Sequence, residues 1–169
     1  MDYTIEEFDR AKTKIMNYIM YKKRTEYEVK NKFSKTLEEN LLHDIIEYVK
    51  EAGYLSDTMY IERAIAEYKA LNNLSRKEIS YKLYSKGISK NLIEDYFSEH
   101  QEELYDYEIQ SAKNILDKKS TSMETEDIKN YLRRKGYREN SIKEAIERDE
   151  DAKRINIRIK QICNKNRQF

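Results

Sequence analysis

The sequence reads as an all-α protein of three tandem three-helix repeats, helix-turn-helix-like, expected to form an elongated curved array. Three observations lead there. The pattern Ile79-x3-Leu83-x3-Gly87 returns as Ile128-x3-Leu132-x3-Gly136, every position displaced by 49 residues (79 to 128, 83 to 132, 87 to 136). The apolar residues recur at spacings of three and four, the period of one helix face. The 169 residues contain no proline and three glycines, so nothing in the composition interrupts long helices.

Each short helix is expected to carry an apolar pair at i, i+4 and to stop where a glycine takes the left-handed conformation that disfavours a side chain. Ser89 then stands where it can cap the next helix. The third copy lies upstream: Val29-x3-Phe33 leads into Leu37-Glu38-Glu39-Asn40-Leu41-Leu42 with one residue deleted, and the glycine position is lost or taken by Thr36. Thr25-x-x-Glu28 and Ser75-x-x-Glu78 form capping boxes at equivalent helix starts, while Glu124 occupies that place in the last copy. A longer helix precedes each pair, carrying Ile5, Phe8, Ala11, Ile15 and Ile19 with Thr4-x-x-Glu7 as its cap, then Ile61, Ala64, Ile65, Tyr68 and Leu71, then Ile109, Ala112, Ile115 and Leu116. The expected repeats are 4–56, 57–103 and 104–150, followed by a basic helical extension or tail over 151–169. The junction Gly53-Tyr54-Leu55-Ser56-Asp57 is a helix stop followed by a fresh cap. The one from Ser98 to Leu104 is near-continuous helix or a short bend.

Mean hydropathy is −1.01 and 38% of residues are charged. Disorder would pair such polarity with high net charge and few aromatics; the formal net charge is +1, with 15 Tyr and 4 Phe. Thin helix-to-helix contacts follow, rather than one thick core, with moderate stability at about 25 cal/mol per Å² of buried apolar area. The lone Cys163 has no internal partner, Met1 to Phe8 holds no signal peptide, and no stretch approaches a membrane span. A cytoplasmic monomer without a membrane partner is expected.

Catalysis finds no foothold. His43 and His100 are far apart in sequence, and with one cysteine they make a closed zinc site improbable. Three glycines write neither a phosphate loop nor a dinucleotide fingerprint. The expectation is no catalytic residue, metal or cofactor.

The ordered motifs resemble the bacterial RecX family. Gly53-Tyr54-Leu55-Ser56-Asp57 resembles that family's Gly-Tyr-Leu-Asp-Asp stretch, Arg24-Thr25-x-x-Glu28-Val29 its Arg-Ser-x-x-Glu-Leu, and the Lys-Gly ends of the short helices its repeat turns. The resemblance spans residues 8 to 150. It implies a regulator that binds the RecA–DNA filament, lodges across neighbouring subunits, and limits ATPase, strand-exchange and coprotease activity in DNA repair, recombination and the SOS response. Direct contact with single- or double-stranded DNA is a further implied partner. Alternatives are a stand-alone nucleic-acid-binding helix-turn-helix protein and a generic helical adaptor.

The candidate partner-binding residues are basic. Lys35, Lys86 and Lys135 end the short helices, either as a periodic row of filament contacts or as cations favoured at helix C-termini. Arg133, Arg134, Lys135 and Arg138 form a denser cluster, read equally as a partner surface or a solvated face. Lys22, Lys23 and Arg24 lie in a helix-to-helix turn. Lys153, Arg154, Arg158, Lys160, Lys165 and Arg167 alternate in the tail with Ile155, Ile157, Ile159 and Ile162, opposite in sign to the acidic run of Glu94, Asp95, Glu99, Glu102, Glu103 and Asp106. Tyr81, Tyr84, Tyr131 and Tyr137 either stack on bases or, by the favoured reading, cover a thin core.

Overall fold

The computed structural model describes residues 3–165, with the side chains of Lys153 and of 161–165 left outside the description. Ile162, Cys163 and Lys165 therefore fall outside the described side chains, as does Arg167 altogether. Among the described residues there are nine α-helices and no strand. In chain order they are α1 Ile5–Tyr21, α2 Glu26–Phe33, α3 Glu39–Glu51, α4 Asp57–Leu71, α5 Arg76–Ser85, α6 Lys90–Glu99, α7 Gln101–Lys119, α8 Thr125–Lys135 and α9 Glu139–Lys165. The single residue His100 separates α6 from α7.

The helix starts follow the capping chemistry of the sequence. Thr4 and Glu7 close a capping box on α1, Thr25 and Glu28 one on α2. Ser75 and Glu78 do the same for α5: Glu78 N–H donates to Ser75 Oγ at 3.1 Å and Ser75 N–H to Glu78 Oε2 at 2.9 Å. Ser89 Oγ accepts from Leu92 N–H at 3.3 Å at the start of α6. Glu124 precedes α8 without a side-chain cap.

The helix ends divide into two kinds. After α5 and α8, Gly87 and Gly136 sit at φ +82° and +85°. Ile88 N–H reaches Leu83 O at 3.3 Å, and Tyr137 N–H reaches Leu132 O at 3.1 Å. After α2 the turn is one residue shorter: Leu37 N–H reaches Phe33 O at 3.0 Å, and no residue there takes positive φ. The deletion seen in the sequence thus removes the left-handed residue itself, and with it the need for glycine.

The chain forms two compact units. Unit 1 comprises Met1–Glu67 and Ser80–Glu99, unit 2 Tyr68–Ile79 and His100–Phe169. In unit 1, α1 packs on α3 around Ala11, Ile15, Ile19, Val29, Phe33, Ile45, Ile46 and Val49, and Tyr18 meets Phe33 edge-on with ring centroids 5.6 Å apart. In unit 2, α7 packs along α9, and Ile109, Ala112, Ile115, Ile128, Leu132, Ile142 and Ala145 form the core. The repeated apolar pairs Val29/Phe33, Ile79/Leu83 and Ile128/Leu132 are all buried. The expected stripes overreach at two ends, since Ile5 is 83% and Leu71 63% exposed. These side chains lie in the first turn of α1 and the last turn of α4.

Candidate partner-binding surface

Two of the lysines expected to reach outward are tied into their own units. In unit 1, the buried Thr25 hydroxyl accepts Glu28 N–H at 3.1 Å and donates to the carbonyl oxygen of Lys86 at 2.7 Å. Lys86 Nζ returns to Glu28 Oε1 at 3.1 Å, and Tyr27 packs on Gly87 so closely that an added Cβ would stand 2.2 Å from its side chain. In unit 2 the same chemistry recurs. The buried Ser75 hydroxyl accepts Glu78 N–H and donates to Lys135 O at 2.7 Å, Lys135 Nζ reaches Glu78 Oε1 at 2.8 Å, and Lys77 packs on Gly136. Each glutamate caps its own helix with one oxygen and holds a lysine about 60 residues away with the other. The bond to Glu78 raises the affinity of Lys135 for its proton.

A second link is also duplicated. Glu26 N–H donates to Asp57 Oδ1 at 2.9 Å, and Arg76 N–H to Glu108 Oε1 at 3.1 Å. Burial pushes the Asp57 carboxyl up. Glu108 is fully buried and also accepts from Arg138 Nε and Ser141 Oγ, both at 2.7 Å. Burial, and then the neighbouring Arg138 charge, lower the proton affinity of Arg76. Arg138, a candidate partner contact by its charge, is thus held by Glu108, a residue that the charge pattern of the sequence does not single out. The one cue was register: Asp57 and Glu108 each follow the first residue of the short helix they serve by about the same interval.

Arg133 grips Glu139 with two bonds, Nη2 at 2.7 Å and Nε at 2.9 Å, and this partner strengthens its hold on its proton. Arg24 lies over the Tyr18 ring at 4.4 Å and 3.8 Å from Glu28. Arg154 meets Asp151 at 3.6 Å and Glu150 at 3.9 Å along an exposed stretch of α9. Among the described residues, Lys22, Lys23, Arg134 and Arg158 are exposed and carry no ion pair. Lys22 and Lys23 belong to unit 1, Arg134 and Arg158 to unit 2.

The tyrosines split. Tyr137 is buried, with its hydroxyl 2.7 Å from Ser111 Oγ, and burial drives its ionisation upward. Tyr131 is half-buried beneath Lys119 Nζ at 4.3 Å. Tyr81 and Tyr84 do not cover a core: they are 73% and 64% exposed, because they lie off the Ile79/Leu83 face of α5. Among the described residues no cluster of three metal-ligating side chains occurs, and no helix is long and apolar enough to cross a membrane.

No family model matches the chain. Individual relatives do. It is 25% identical over 148 residues to regulatory protein RecX of Clostridioides difficile, a match covering 83% of this chain and 68% of the relative. The RecX of Finegoldia magna is 34% identical over 113 residues, 66% of this chain and 53% of the relative. One from Clostridium perfringens is 30% identical over 139 residues, 78% of this chain and 65% of the relative. The matches thus span roughly half to two thirds of these relatives' length. The crystal structure of RecX from Lactobacillus salivarius shares the fold at a TM-score of 0.72 and 22% identity, covering 86% of this chain and 97% of that one. A second RecX crystal structure does so at 0.68 and 16%, covering 83% and 73%. Glycine-punctuated helical repeats, sequence similarity along most of the chain and a shared fold together place this protein in the RecX family.

Proposed function

We propose that this chain regulates the RecA recombinase by binding the RecA–DNA filament, restraining its ATP hydrolysis, strand exchange and coprotease activity without chemistry of its own. The observation that carries this reading is the match, in sequence along most of the chain, to proteins named regulatory protein RecX.

The cations divide by cost. Lys86, Lys135, Arg133 and Arg138 would each have to leave a carboxylate to meet a partner. Lys22, Lys23, Arg134 and Arg158 would not, and they are the contacts we assign to the filament or its DNA. With repeats at 4–56, 57–103 and 104–150, more than one repeat contributes to these contacts. Weak contacts linked through one chain add by raising the effective concentration of the next.

Co-sedimentation with a filament of the cognate RecA on single-stranded DNA tests the reading. The protein should pellet with the filament and stay in solution with DNA alone. Pelleting equally with bare DNA, with a steep salt response from counterion release, would instead make it a nucleic-acid-binding protein.

A further inference from the structure

A groove in unit 1 is walled by Lys23 and Arg24 between α1 and α2, Gly53 and Tyr54 after α3, and Met59 and Arg63 on α4, and encloses about 380 Å³. Its chemistry is mixed. Tyr54 and Met59 are 46% and 56% exposed, so apolar surface faces water there. The Arg24 Nε–H is buried without an acceptor. Lys23 has no ion pair among the described residues, Arg63 shares its charge with Glu67 at 3.1 Å, and a single carboxylate, Glu62, also lines the space. At Gly53 nothing stands within 4 Å of where a Cβ would be, so that side of the groove is open.

We infer that this groove receives an acidic segment of a protein partner, with an apolar side chain over Met59 and Tyr54 and carboxylates on Lys23 and Arg24. Arg24 lies 3.8 Å from Glu28 and Arg63 3.1 Å from Glu67, so Lys23 carries the uncompensated positive charge that selects an anion. The apolar wall and Glu62 decide which kind. A sugar-phosphate backbone gains little from Met59 and is repelled by Glu62, whereas a peptide alternates carboxylates with side chains that bury against a thioether. The inference rests on the proposed regulatory reading for the identity of the partner. Its test contains no recombinase, and DNA enters it only as a competitor of the bound peptide, so the two fail separately.

The probe is a fluorescein-labelled peptide of repeated Glu-Leu-Asp-Ser units, followed by anisotropy and by amide chemical shifts of the ¹⁵N-labelled protein. Saturable binding is expected, with the amides of Gly53, Tyr54 and Met59 shifting and those of α8 unmoved. Lys23→Glu and Met59→Glu, both at exposed side chains, should retain the native melting temperature and weaken binding by about tenfold each. An oligothymidylate should not displace the peptide. No saturable shift, shifts centred elsewhere, unaltered affinity in both variants, or displacement by the oligonucleotide would each overturn the inference.

Discussion

The Ser75 hydroxyl donates to the carbonyl oxygen of Lys135 at 2.7 Å while capping its own helix, sixty residues away in sequence. Thr25 does the same to Lys86. A side chain that satisfies a helix N-terminus on one side and a helix C-terminus on the other removes two backbone deficits at once.

Ser75→Ala should therefore cost more than an ordinary exposed cap, about 1–3 kcal/mol, because a buried carbonyl also loses its donor. Ser75→Thr copies the residue at position 25 and should change stability by less than about 0.5 kcal/mol. Urea denaturation of both variants checks the difference. Equal losses would mean that the hydroxyl is not the link.

Glu108 accepts from Arg76 N–H, Arg138 and Ser141 with no exposed surface. Glu108→Ala removes the acceptor of the Arg76 N–H and of the buried Ser141 hydroxyl, as well as the partner of the half-exposed Arg138, and should cost about 1–3 kcal/mol. Glu108→Gln keeps one acceptor and should cost less. Chemical denaturation in the same buffer ranks them, and a loss of surface-residue size for the alanine variant would contradict the assignment.

Gly53 and Gly87 share positive φ, yet only Gly87 has a neighbour in the way. Gly53→Ala should cost the conformational strain alone, about 1–2 kcal/mol. Gly87→Ala should pay that and the displacement of Tyr27 as well. Paired thermal melts measure this, with the lower midpoint expected for Gly87→Ala.

Acid should destabilise the protein. Arg133 holds the Glu139 carboxyl below its usual range, Lys129 that of Glu126, Lys69 that of Glu103, and the Tyr105 hydroxyl that of Glu144. For a depressed carboxylate, the stability is present above the unfolded pKa and lost as pH falls through the folded one. Asp57, raised by burial, works in the opposite sense. The four outnumber the one, so the melting midpoint should fall as pH drops from about 5 towards 3. A midpoint that rose on acidification would show that the raised Asp57 dominates.

Much of this was legible in the residues. The Thr/Ser-x-x-Glu boxes and the Lys-Gly ends sit where local chemistry alone puts them, and α2, α5 and α8 begin and end accordingly. What could not be read was the second use of the same groups. The bond from Thr25 to Lys86 joins positions 61 apart, and only the folding of unit 1 brings them together. Glu108 sits in an acidic run that looks like a solvated face, yet its turn of α7 faces inward beside Tyr107 and Ser111. Lys86, Lys135 and Arg138 looked like contacts for the same reason: a sequence records charge and not its partner. Tyr81 and Tyr84 are different: the Ile79/Leu83 period that marks the core face of α5 already leaves them off it.

Under the proposed function, RecA is restrained through Lys22, Lys23, Arg134 and Arg158, which carry no ion pair among the described residues. The rate of DNA-dependent ATP hydrolysis by the cognate RecA, followed as the protein is added to stoichiometry, tests it most directly. The expected result is a falling rate with the native chain and about tenfold weaker suppression by a folded Lys22→Glu, Lys23→Glu, Arg134→Glu, Arg158→Glu variant. A rate that does not change with the native chain would contradict the account, as would equal suppression by the variant.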